Sequence, residues 1–138
     1  RRLGAEDAVL TTDAGAGYEL DAGMALGAAG VVPVRADYRE GRPLGTEFVD
    51  DVLTDLGGTP AQWRYPDAGI EVSLVVDAPY SHLVVYQPVG RDHFAIEPVT
   101  HVNDGFALHA RGVPGTGVVV VEPGDTFEAS FALRVATA

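Results

Sequence analysis

Cysteine is absent from this 138-residue sequence, and so is lysine. The first absence removes disulfides, thiolate catalysis and cysteine-held metal together, and leaves the redox compartment open. The second, with arginine as the sole cationic side chain besides histidine, reads as GC-rich coding bias. Cationic residues are scarce in any case: 9 against 20 acidic, a net charge of −11. Such a chain repels a phosphate backbone, so neither nucleic acid nor an anionic membrane surface is expected as a partner. Long apolar runs are missing too. Stretches such as Gly117 to Val121 fall far short of the ~20 residues a membrane helix needs. Methionine occurs once, at Met24, so none precedes the opening Arg1-Arg2-Leu3. No signal-peptide pattern follows it. The sequence therefore reads as a processed chain or a portion of a longer one, with Ala136-Thr137-Ala138 as an ordinary C-terminus and the cytoplasm as the default location.

What is present suits one globular β domain over residues 1–138. Glycine (17) and proline (9) mark frequent turns, and 46% of residues are hydrophobic, which a disordered polar chain would not have. Ile70, Val72 and Leu74 share one face of a strand by the period of two. Ala78 to Ser81 then turns, and His82 to Gln87 is a β-branched and aromatic strand. Asp92 to Glu97 alternates again, with Phe94 and Ile96 on one side. Gly117 to Val121 is apolar enough to predict a strand buried on both faces. Pro123-Gly124-Asp125 turns it into Thr126 to Val135, where Phe127, Ala129, Phe131, Leu133 and Val135 are expected to point inward, the two strands forming a hairpin. In the first half, Ala8 to Thr11 and Val31 to Val34 are expected strands. Glu47 to Leu56 carries Phe48, Val49, Val52, Leu53 and Leu56 at a spacing closer to a helix. The sum is an all-β, antiparallel β-sandwich.

Several chemical signals are weak. Gly15-Ala16-Gly17 lacks the third glycine and following helix of a phosphate loop, and reads as a turn. His93 and His101 bracket Glu97 at a spacing that would hold a metal only on a helix, which Pro98 excludes; no metal site or cofactor is expected. The informative stretch runs from Arg91 to Leu108. There Glu97 closes an alternating strand directly before Pro98, which biases it to extended geometry. Alternation turns its carboxylate away from Phe94 and Ile96, and so out of the core.

This stretch resembles the C-terminal signature of the aldose 1-epimerase (galactose mutarotase-like) family. The matching pieces are Glu97-Pro98-Val99-Thr100-His101, Asn103-Asp104-Gly105-Phe106, and Glu122-Pro123-Gly124-Asp125. Upstream, Asp37-Tyr38-Arg39 with Gly41 to Leu44, then Asp50-Asp51-Val52-Leu53-Thr54-Asp55-Leu56, and then Tyr80 to Gln87 match in the family's order. The resemblance implies a large two-sheet sandwich of which this chain is the C-terminal half. It implies interconversion of the α and β anomers of a free aldose, with a monosaccharide as partner and Glu97 as general base. Asp50 would bind sugar hydroxyls. Apart from the resemblance, His101, close after Glu97, and Tyr86 are read as further substrate contacts; Tyr86, Trp63 and Tyr80 are the aromatics that could form a platform for a sugar, with the core the commoner place for each. A carboxylate is ionised at neutral pH and can accept the anomeric proton. The departures are specific. No His-Pro-aromatic segment is present to supply the family's general acid, and Asp51 stands where the family has a histidine. A non-catalytic carbohydrate-binding sandwich, a glycoside hydrolase with a carboxylate pair, and a ligand-free structural domain are the competing readings.

Overall fold

The computed structural model describes residues 2–137; Arg1 and Ala138, and the readings that involve them, lie outside the described residues. Eleven strands and one short helix follow in order: β1 (Val9–Thr12), β2 (Ala16–Gly17), β3 (Leu20–Asp21), β4 (Met24–Ala25), β5 (Arg42–Pro43), β6 (Val49–Thr54), β7 (Ala61–Tyr65), β8 (Ile70–Val76), β9 (His82–Gln87), β10 (Ala95–Val99), α1 (Gly105–Ala110) and β11 (Phe131–Thr137). One sheet has the order β11-β8-β7-β1-β5, a second β10-β9-β6-β2, and β3 pairs with β4. All their pairings are antiparallel. The expected all-β sandwich is what forms.

The pleat explains where the core lies. Leu10, Ala61 and Leu74 on the first sheet meet Val49, Leu53, Leu83 and Val85 on the second, with Tyr38 and Leu44 between connections. Each fully buried aliphatic side chain contributes roughly 1.5–3 kcal/mol over exposure. A second cluster, of Tyr18, Ala25, Val52, Val102 and Leu108, covers part of the outer face of the second sheet. Phe94 and Ile96 pack on the main core as alternation predicts.

Several expectations are corrected. Glu47 to Leu56 is not a helix: its centre is β6, a strand paired on both sides. Val52 serves the outer cluster and Leu53 the inner one, so apolar residues sit on successive positions and blur the period of two. Val31 to Val34 forms no strand; Val31 and Val34 are exposed and Val34–Ala36 is a 3-10 turn. Ala16 and Gly17, read as part of a turn, make the short strand β2. Gly117 to Val121 joins no sheet, and Val119, Val120 and Val121 are exposed. The last strand begins at Phe131 rather than Thr126, and pairs with β8 instead of forming a hairpin with 117–121. Its register puts Phe131, Leu133 and Val135 level with Val76, Leu74 and Val72, on the core-facing side as expected. They are nonetheless exposed, because β11 is the sheet's outermost strand.

Candidate functional site

Register alone brings three of the expected site residues to one surface. Asp50 lies opposite Tyr86, and Tyr86 opposite Ala95. One row along, Val52 lies opposite Val84, and Val84 opposite Glu97. Directly paired residues share a face, and positions two apart along a strand share it too. Asp50, Tyr86 and Glu97 therefore stand together on the outer face of the second sheet, with Glu97 diagonal to Tyr86. Diagonal neighbours lie about 7–8 Å apart, within reach of long side chains. Glu97 is exposed, and Asp50 and Tyr86 are half-buried. The sheet's inner face carries Leu53, Leu83 and Val85, so the acidic residues sit on the opposite side, which the second cluster covers only in part.

Phe48, two residues before Asp50, meets Tyr86 edge-on, with ring centroids 6.4 Å apart and planes at 90°. It is exposed. A carboxylate at each side of an aromatic pair can accept hydroxyl hydrogen bonds while the rings offer an apolar surface. Sequence reasoning assigned Phe48 to a helix face; the signal that could have found it is its strand spacing to Asp50.

Asp51 points the other way. It is fully buried, and Arg35 grips it with two hydrogen bonds, Nε to Oδ2 at 2.9 Å and Nη2 to Oδ1 at 2.7 Å. That pairing raises the Arg35 pKa still further. Asp51 is thus a core anchor for the turn at Val34–Ala36, and the carboxylate chemistry of the outer face falls to Asp50 alone on this strand. Asp37, the start of the Asp-Tyr-Arg segment, closes a local pair with Arg39: the guanidinium's hydrogen bonds hold its carboxyl down at about 2.

His101 is not brought to this group. It lies in the turn after β10, stacked on Phe106 at 5.0 Å between centroids, with Nδ1 3.2 Å from Thr100 Oγ1. The cavity it lines, of about 530 Å³, is shared with Tyr80, Val99 and Asn103. Glu97 borders a different groove, of about 600 Å³, between the sheets, with Trp63, Tyr65, Phe94, Ile96 and Leu133. Trp63 packs on the core, edge-on to Phe94. Tyr80 meets Phe131 in the same manner. Among the described residues, no group of three histidine or acidic side chains is placed to hold a metal ion.

No family model and no curated protein sequence matches the chain. Solved structures do. A candidate aldose 1-epimerase of Escherichia coli K12 superposes with a TM-score of 0.78 at 19% identity, over 96% of this chain and 47% of that one. A galactose mutarotase-like protein of Clostridium acetobutylicum gives 0.81 at 14% identity, over 97% of this chain and 43% of that one. The chain thus has the fold of part of these proteins and spans less than half the length of either.

Proposed function

We propose that this chain carries the base-bearing part of an aldose 1-epimerase-type site, acting on a free monosaccharide. One observation supports the reading above others: Glu97, Asp50 and Tyr86 occupy adjacent positions on the outer face of the second sheet. Glu97 would take the proton from the anomeric hydroxyl as the bond from C1 to the ring oxygen breaks. A proton delivered to that oxygen completes the open-chain aldehyde. Rotation about the C1–C2 bond and the reverse steps close the other anomer. Asp50 accepts a hydrogen bond from a sugar hydroxyl, and the Tyr86 phenol can donate one. Glu97 is the middle residue of β10 rather than its last, and Pro98 after it holds its backbone extended.

The acid that protonates the ring oxygen is not supplied by His101, which borders another cavity. It would come from further chain of the same sandwich, a reading that fits the greater length of the two similar structures and the uncovered inner face of β11. The same absence beside Glu97 favours a second reading, a carbohydrate-binding surface without catalysis. Polarimetry on fresh α-D-glucose and α-D-galactose separates the two. Acceleration that falls by ~10²–10⁴ in Glu97→Gln, the usual worth of a general base, is expected for an epimerase. Binding of the sugars without acceleration would leave the second reading, and neither binding nor acceleration would overturn both.

A further inference from the structure

At the opposite end of the same sheet face lies a buried cluster that the proposed reaction does not use. His82 opens β9 and is 1% exposed. Its Nε2 is 2.9 Å from the Tyr18 hydroxyl, and its Nδ1 is 2.8 Å from Ser81 Oγ. Each hydroxyl also reaches a backbone carbonyl: Tyr18 Oη to Gly115 O at 3.1 Å, and Ser81 Oγ to Thr100 O at 3.0 Å. Gly117 lies against the imidazole with φ +80°, and a Cβ there would stand 2.8 Å from His82 Cε1. The cluster thus ties the loop at 112–117 to the end of β10.

The protons do not match the contacts. Four links run from carbonyl to carbonyl through a hydroxyl, an imidazole and a second hydroxyl. Each hydroxyl brings one proton, and a neutral imidazole brings one. Three protons serve four links, and both ends of the line are acceptors. With the proton on Nε2, His82 donates to Tyr18 and Tyr18 donates to Gly115. Ser81 must then choose between Nδ1 and Thr100. With the proton on Nδ1, His82 donates to Ser81 and Ser81 donates to Thr100. Tyr18 must then choose between Nε2 and Gly115. Neither tautomer holds both carbonyls and both ring nitrogens.

We propose that Ser81, His82 and Tyr18 form a two-state latch, in which the tautomer of His82 decides which carbonyl, Gly115 in the 112–117 loop or Thr100 at the end of β10, keeps its donor without competition from a ring nitrogen. The two arrangements make the same number of bonds, so the bond count prefers neither, and the latch requires that they exchange. A second proton on the ring would supply the missing donor. Burial, aided by His101, opposes it and outweighs the Gly115 backbone, which favours the charged ring; together they hold the His82 pKa at about 4, so the neutral tautomers carry the behaviour near pH 7. The surroundings add no carboxylate from the neighbouring strands: β6 presents Thr54 and β10 Val99 at the paired positions. The loop 112–117 has no titratable side chain. Tyr18 and His101 are the titratable groups that face the ring.

Long-range nitrogen–proton NMR of the histidine rings in the whole chain at pH 7.5 tests this. The wild type is expected to show His82 averaged between the two neutral tautomers. Ser81→Ala, which removes the partner of Nδ1, should collapse it to the Nε2-protonated form. That form holds Gly115 permanently, so the Val102 amide, which donates to Thr116 O in the loop, should gain protection from exchange by about twofold. A merely structural serine would give the opposite, since losing a contact loosens its neighbours. A single tautomer in the wild type that Ser81→Ala leaves unmoved, or a Val102 amide less protected in the variant, would overturn the latch.

Discussion

The outer face of β6, β9 and β10 has two ends that differ in what covers them. At one end Glu97 is exposed, with Asp50 and Tyr86 half-buried beside it. At the other, His82 is sealed beneath Tyr18, Gly117 and the segment around Thr116. The strands are the same and the residues alternate identically; the chemistry follows from the cover. An exposed carboxylate on a rigid strand is free to accept a hydrogen bond from a ligand. A buried imidazole must find partners within the protein, so it becomes part of the fold's own hydrogen bonding.

Four outcomes would sharpen or break this contrast. The largest effect belongs to the layer beneath both ends. Leu83→Ala, at a fully buried core position, is expected to cost about 2–5 kcal/mol in denaturant unfolding; a loss under ~0.5 kcal/mol would mean the two sheets do not pack as described.

Acid comes next. His82 binds its proton at about 4 in the fold and near 6.5 when unfolded. The unfolded chain therefore gains the proton first as pH falls. Stability from this residue is complete above pH ~6.5 and is lost through the window down to about 4, by about 3 kcal/mol. Unfolding curves of the wild type and His82→Gln across that window should converge as pH falls. Parallel curves would detach His82 from the acid sensitivity.

Gly117→Ala should follow. Its φ of +80° is strained for any side chain, and the added Cβ would collide with the Thr100 carbonyl oxygen. A loss of ~1 kcal/mol or more is expected by thermal unfolding; an unchanged midpoint would mean the loop does not seat on the histidine.

At the open end, Glu97→Gln and Asp50→Asn should leave unfolding within ~0.5 kcal/mol of wild type. A larger loss would make these carboxylates part of the fold rather than of a site.

Much of this was legible in sequence where one rule governs one segment. β8 and β9 obey alternation or β-branched enrichment, and Glu97 leaves the core as the pleat requires. The helix expected at Glu47 to Leu56 failed because β6 is buried on both faces, which places Val52 and Leu53 side by side. Residues 117–121 carry the composition of a buried strand and yet Val119, Val120 and Val121 are exposed; composition reports what a segment can pack against, not what is present to cover it. The resemblance singled out Asp50 and Glu97, and the strand register puts both on one face of the second sheet. It could not show that Asp51 turns inward to Arg35, since that depends on the partner 16 positions upstream. The His82 cluster joins residues as far as 97 positions apart in sequence, and no local pattern announces it.

The most direct test of the central claim is exchange NMR between the α and β anomeric protons of glucose and galactose at equilibrium, with wild type and Glu97→Gln compared at equal folded concentration. The account predicts anomer exchange above buffer in the wild type, with most of the excess lost in the variant while its protein spectrum stays folded. Undiminished exchange in Glu97→Gln would contradict it.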